Sequence, residues 1–216
     1  MKIHIITPFF RTHLIPTLIH YLEPMGIEWH PVIGHDSEAR FDRDWIHPVR
    51  TDELLPTDMC YKKIDDFADT QEIIDDDYYG FMGDDDMYEP EFFDVIREQT
   101  AKIIMFSVYR GDSIPTGDDS EPHPWTPIRI SSIEDVRVCN IGMGMYIVKG
   151  EILKQNRFGN NHKWDDGRYA VRLRGQFPDD IVLLPDLFIF GNFFQPGRYN
   201  KKEAFLKPNW ELPEII

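Results

Sequence analysis

The chain has 216 residues, 42% of them apolar, and sets 23 Lys and Arg against 38 Asp and Glu, a formal charge of −15. A chain of this size suits one domain with a full core. The charge argues against a nucleic-acid backbone as partner, because such binding rests on Lys and Arg neutralising phosphates, and against docking on an anionic membrane through a basic patch. An anionic small ligand stays compatible, since a divalent metal reverses the local field. Cys60 and Cys139 are far apart and in no metal-type spacing, which reads as a reduced, cytoplasmic chain, with no support for a disulfide.

In chain order, Lys2 to Thr7 reads as a buried strand. Its apolar run is short and is broken by Pro8 and Arg11, so it reads as a strand rather than a signal peptide. Leu14 to Tyr21 has the spacing of a helix, with Leu14, Ile15, Leu18, Ile19 and Leu22 on one face and Pro16 in the first turn. Ile27 to Gly34 reads as a second strand in which Pro31 favours an edge or a bulge. Thr57 or Asp58 caps a helix running to about Ala68. Tyr78 to Met82 is a short strand, and Pro90 opens a helix through about Gln99. Lys102 to Tyr109 is a strand. Arg110 to Pro127, rich in Gly, Pro, Asp and Ser, reads as a long surface loop of the binding or lid kind. Met143 to Val148 is a strand, followed by a short helix at Glu151 to Gln155 and a longer one at Trp164 to Arg174. Ile181 to Leu184 and Leu187 to Phe190 read as closing strands. No run approaches the ~18 apolar residues of a membrane span. Strands alternating with helices predict an α/β domain with a mainly parallel sheet.

Three carboxylates, Asp84, Asp85 and Asp86, follow the strand at Tyr78 directly. In α/β sheets, ligands bind beyond the C-terminal ends of the strands. A hard cation offsets the mutual repulsion of the acids, and carboxylates with water suit Mg²⁺ or Mn²⁺, which commonly share substrate phosphates. The alternative is a solvated acidic turn that favours the next helix N-terminus.

The run from Phe81 to Pro90, FMGDDDMYEP, resembles the DXD region of GT-A fold glycosyltransferases, most closely the inverting family-two type. Where many members have Asp at the first acidic place, this chain has Gly83, and the acids lie one place along. Ile6 to Arg11 (ITPFFR) is similar to the family's first strand and turn, and Val32 to Ser37 (VIGHDS) to its second strand and acidic turn. Ile141 to Val148 is similar to the small-residue segment before an acceptor-side strand. Lys163 to Leu173 is similar to the Glu-Asp motif that opens a helix carrying a later Arg-Leu pair. The resemblance runs in order over residues 1 to 195, loosely between Ala39 and Asp75. It implies a single GT-A (nucleotide-diphospho-sugar transferase) domain, Rossmann-like and flanked by helices, with a nucleotide-binding half at 1–100, an acceptor half at 101–195 and a tail at 196–216.

By residue, the resemblance implies metal ligands at Asp84, Asp85 and Asp86 for Mn²⁺ or Mg²⁺. It implies donor-nucleotide contacts at Thr7, Phe9, Asp36 and Asp84, with uracil as the expected base, and a nucleotide-proximal basic residue for which Lys63 and Lys62 are the candidates. Gly142, Gly144 and a stacking Trp125 fall on the acceptor side. Asp166, with Asp165 behind it, falls at the place of the catalytic base. The implied reaction moves a sugar from a nucleotide-diphosphate donor to a glycan or other hydroxyl acceptor by a single inverting displacement. Two other readings stay open: a nucleotidyltransferase that makes a nucleotide sugar, against which the N-terminal stretch lacks a Gly-rich basic loop, and a non-catalytic nucleotide or glycan binder. No P-loop, dinucleotide glycine fingerprint, nucleophile elbow or HExxH motif is present.

Overall fold

Apolar runs in the first third of the chain predict strands covered on both faces, and the structure forms them. In this computed structural model residues 1–35, 37–51, 60–89, 91–110, 126–138, 140–159 and 165–191 are described. Strands β1 (Ile3–Pro8), β2 (Glu28–Gly34), β3 (Val49–Thr51) and β4 (Tyr78–Phe81) lie in the order β3-β2-β1-β4, all parallel. Ile3, Ile5, Ile6, Trp29, Tyr78, Tyr79 and Phe81 are all buried. Parallel strands covered on both faces read as unbroken apolar runs, because neither face needs polar residues.

Helix α1 (Ile15–Leu22) links β1 to β2, with Pro16 in its first turn, where no N–H partner is required. Helix α2 (Cys60–Thr70) leads into β4 and buries Ile64, Phe67 and Ala68. After β4 come β5 (Met87–Tyr88), α3 (Phe92–Arg97), β6 (Ile103–Arg110), β7 (Thr126–Ile128), β8 (Tyr146–Lys149), α4 (Gly150–Gln155), α5 (Asp165–Gln176) and β9 (Ile181–Gly191). The sheet continues β4-β8-β6-β9-β5, with β7 also on β6. The expected α/β architecture is thus present, a curled central sheet flanked by helices. Parallel pairing is complete among β1 to β4 and returns between β6 and β9, while β8 is antiparallel to both of its neighbours. The short strands β5 and β7 are antiparallel to their partners as well, but the reversal at β8 matters most for position. The residues just before β8 arrive at the edge where β4 ends.

Several local expectations are corrected. Pro31 sits in an interior strand, opposite Thr7. Trp29 bonds toward the β3 side through Trp45 O and His47 N. Strand alternation puts Pro31 on that same side, in the gap between the Trp29–Ile46 bridge and the first β3 pair at Val49. Pro31 has no N–H to give on that side, and the ladder is interrupted there. The two closing strands are one, because Pro185, Asp186 and Leu187 form an irregularity where the register against β6 jumps between Phe106 and Ser107. The Ser107 hydroxyl donates to Pro185 O at 2.7 Å, so the bulged carbonyl has a partner. Met143–Met145 is a 3-10 turn and the strand begins only at Tyr146. Among the described residues no helix is long and apolar enough to cross a membrane. Pro90, residues 111–125 of the expected loop and the tail at 196–216 lie outside the described residues.

The start of α4 illustrates how tightly the two halves meet. Gly150 N donates to Asp77 O at 2.9 Å and Glu151 N to Asp75 O at 3.3 Å, so the turn before β4 satisfies the first amides of α4. A Cβ on Gly150 would lie 2.0 Å from Ile74 O. That atom is backbone and cannot rotate away. Gly150→Ala is expected to destabilise by about 2–3 kcal/mol, lowering the melting temperature by roughly 5–10 °C in a calorimetric scan. An unchanged melting temperature would show that the contact is not this close.

Candidate functional site

The parallel strands end at one edge of the sheet, where the loop after β1 meets the turn after β4. Asp86 N donates to Gly83 O at 3.2 Å and Gly83 N to Asp86 Oδ2 at 2.9 Å, which closes Gly83–Asp86 as a turn. A Cβ on Gly83 would lie 2.7 Å from Asp86 Oδ2. The glycine that departs from the common acidic motif therefore suits the turn: a side chain there would displace the carboxylate that caps it.

Asp84 is 2% exposed and faces back into the β1 loop. Its Oδ2 accepts from Phe10 N at 2.7 Å and Arg11 N at 2.6 Å, and its Oδ1 from the Arg11 guanidinium. Asp85, also buried, has Oδ1 3.3 Å from Arg11 Nη1. Asp86 lies beyond, near the glycines expected on the acceptor side. A Cβ on Gly144 would come 3.6 Å from Asp86 Oδ2, and one on Gly191 3.8 Å from Asp86 Oδ1. Three glycines, Gly83, Gly144 and Gly191, thus lie close around this carboxylate.

These residues do not fit the expected Mn²⁺ or Mg²⁺ site. Asp84 directs both oxygens at N–H donors, Asp85 shares the same guanidinium, and Asp86 turns back onto Gly83. Among the described residues no three His, Cys, Asp or Glu side chains gather as a metal-holding group. A cation on Asp84 Oδ1 would also press against Arg11. Two unit charges about 4 Å apart repel by ~1 kcal/mol in water and ~4 at an effective dielectric of 20.

The predicted nucleotide residues divide differently from expectation. Thr7 is fully buried and its hydroxyl accepts from Trp29 Nε1 at 2.9 Å. Phe9 is buried edge-on against Trp29, with ring centres 5.7 Å apart. Both belong to the core rather than to a ligand surface. The exposed ring is Phe10, at 40% exposure. Lys63 is buried, donates to Phe9 O at 2.7 Å and lies 4.4 Å from the Phe10 ring centre. It holds the loop rather than reaching outward. Sequence reasoning missed Phe10 and Arg11. The signal was the TPFFR string itself, but a strand buried on both faces has no alternation to say which phenylalanine leaves the core.

Asp36 lies outside the described residues. Its neighbours line an open polar pocket of about 550 Å³ formed by His35, Ser37, Glu38, Ala39, Arg40 and Arg50. Arg50 donates to the carbonyls of Gly34, His35, Ser37 and Ala39 and so shapes this loop beyond β2.

Of the residues expected on the acceptor side, Gly142 precedes the 3-10 turn and Gly144 sits within it, against Ile189 of β9. Asp165 and Asp166 open α5, where two acids suit the positive end of the helix. Asp165 is buried, 3.4 Å from Arg168 Nη1, while Asp166 is half-buried and accepts from Gly167 N at 2.7 Å. Helix α5 is fixed by an aromatic stack. Tyr169 lies on Phe158 at 4.2 Å and on Tyr146 of β8 at 5.6 Å, and Phe158 meets Phe81 of β4 edge-on. Asp65 of α2 binds Phe158 N at 2.9 Å and Gly159 N at 3.0 Å, and burial pushes its carboxyl above the usual range. Trp125 lies outside the described residues.

No family model matches the chain, and no curated protein matches it in sequence. Solved structures similar to it include a 4-diphosphocytidyl-2C-methyl-D-erythritol synthase, at 10% identity and TM-score 0.48, covering 92% of this chain and 95% of that one. They also include the galactosyltransferase LgtC in complex with donor and acceptor sugar analogs, at 10% identity and TM-score 0.45, covering 85% and 73%. A candidate nucleotide-diphospho-sugar transferase from Desulfovibrio desulfuricans is similar at 10% identity and TM-score 0.39, covering 86% and 80%. At this identity and these scores the likenesses assign neither a family nor a reaction.

Proposed function

We propose that this protein is a glycosyltransferase that moves a sugar from a nucleotide diphosphate, with UDP as the expected nucleotide, to a hydroxyl acceptor. The observation that carries the reading is the junction at the sheet edge. The acid turn after β4, the β1 loop with Phe10 and Arg11, and the glycine segment before β8 meet there, although 61 positions separate Gly83 from Gly144. Donor-side and acceptor-side elements thereby flank one carboxylate, Asp86. The polar pocket beyond β2 offers room for the base and ribose.

In the proposed step, the acceptor oxygen attacks the anomeric carbon while its proton passes to the Asp166 carboxylate. The bond from that carbon to the diphosphate oxygen breaks, and the nucleoside diphosphate leaves with the electron pair. Asp166 is preferred to Asp165 as base because it is the more accessible of the two. Such base help is worth ~10²–10⁴ in rate.

The test incubates the protein with UDP-, GDP- and dTDP-sugars and simple hydroxyl acceptors, and follows release of nucleoside diphosphate. Asp166→Asn is expected to lower turnover at least a hundredfold while donor binding stays within about threefold of wild type. Pyrophosphate release from a nucleoside triphosphate and a sugar phosphate would instead establish nucleotidyl transfer. Donor binding without turnover would establish a non-catalytic binder.

A further inference from the structure

The acid turn needs positive charge nearby, and the chain supplies it from 73 positions away. Arg11 uses one nitrogen, Nη1, on both Asp84 and Asp85. Among the described residues no hydrogen bond engages its Nε or Nη2, and its side chain is 38% exposed. A guanidinium is planar, carries five N–H donors and stays charged at any working pH. Anchored along one edge, it presents the other to solvent in the fork that suits two phosphate oxygens.

We propose that Arg11 is the resident cation of the donor site: Nη1 neutralises Asp84 and Asp85, and the Nε–Nη2 edge binds the donor's diphosphate without a divalent metal on Asp84. The inference rests on the donor reading above. Asp84 spreads its charge over three N–H donors, so it opposes an incoming phosphate less than a bare carboxylate would. Phe10 adjoins Arg11 with an exposed ring whose partner cation is Lys63. The loop therefore offers a base-sized aromatic surface beside a phosphate-sized donor edge.

The experiment titrates UDP, GDP and dTDP into the full chain by calorimetry, once with EDTA and once with Mn²⁺, for wild type, Arg11→Gln and Arg11→Lys. At least one nucleotide is expected to bind wild type with dissociation constants within about threefold in the two buffers. Arg11→Gln is expected to weaken that binding at least tenfold, and Arg11→Lys by an intermediate factor, since lysine keeps the charge and loses the fork. Melting curves identify any variant that fails to fold; if Arg11→Gln does, Arg11→Lys carries the comparison. Binding that requires Mn²⁺, or that neither substitution weakens, overturns the role of Arg11 and leaves the donor reading standing. No binding of any of the three nucleotides in either buffer overturns both.

Discussion

Replacing Asp84 by alanine is expected to destabilise the protein by about 3 kcal/mol, a fall in melting temperature of roughly 6–12 °C. The aspartate accepts two backbone amides and a guanidinium at a site almost closed to water. Alanine strands all three donors. Arg11 is exposed enough to swing out and rehydrate, but Phe10 N and Arg11 N are fixed by the loop. Most of the loss should therefore come from the two amides, each left without an acceptor at about 1–3 kcal/mol. Asp84→Asn should recover much of it, because one amide oxygen in the place of Oδ2 can accept both backbone amides, and only the guanidinium bond at Oδ1 is lost. A double-mutant cycle with Arg11→Ala separates the contributions. If Asp84→Ala melts within 2 °C of wild type, the carboxylate does not anchor the β1 loop and the geometry of the acid turn is wrong.

Acid should weaken the fold through His30, and the reason is a hydrogen-bond chain across β1 and β2. His4 Nε2 lies 3.3 Å from Asp77 Oδ2, and His4 Nδ1 lies 2.9 Å from His30 Nε2. With His4 donating to Asp77, its Nδ1 must accept, so His30 donates through Nε2. This assigns the tautomers from the network. His30 Nδ1 is then a buried lone pair, and no partner meets it among the described residues. Protonation would place a charge on this buried ring, close to the rings of His4, His47 and Phe67. Burial, with like-charge repulsion from His4 and His47 and smaller opposing pulls from Glu28 and the His47 backbone, lowers His30 from 6.5 to about 3. His4, stacked on Tyr79, is lowered too, mainly by burial and against the pull of Asp77, with Glu28 and Lys2 nearby.

The sign follows from proton counting. Between pH 6.5 and about 3 the unfolded chain binds a proton at His30 that the folded chain refuses, so stability rises with pH across that window. It is fully present above 6.5 and drains as the pH falls. At pH 5 the loss from His30 alone is about 2 kcal/mol. Urea unfolding of wild type at pH 7.5 and pH 5.0 should show it, and His30→Leu should flatten the difference. Equal pH slopes in wild type and variant would sink this account.

The order of elements was legible because strand runs, helix faces and Pro16 are local signals. The short strands were not. Val49–Thr51 and Met87–Tyr88 are too brief to show a period, and they form because longer neighbours offer them edges. Pro31 looked like an edge marker, and only the pairing of Trp29 with the 45–47 segment shows why an interior strand accepts it. The acids were legible as a cluster in want of a cation. That the cation is Arg11 was not, since their contact spans the chain. Phe9 and Phe10 are chemically identical in sequence, and packing against Trp29 alone decides which is core.

The path of the chain after the acids sets a limit of a different kind. Strand β5, only two residues long, leaves the end of β4 and pairs at the far end of the sheet, Met87 with Phe190 and Tyr88 with Ile189. Tyr88 is held there doubly, its carbonyl by the Tyr21 hydroxyl and its own hydroxyl toward Phe81 O at 3.3 Å. Inserting a single residue between Asp86 and Met87 would exchange the two faces of β5 and turn Tyr88 out of its slot. The length of the acidic stretch is therefore as constrained as its charge, and homologues or redesigned variants should exchange residues within it far more readily than they gain or lose one.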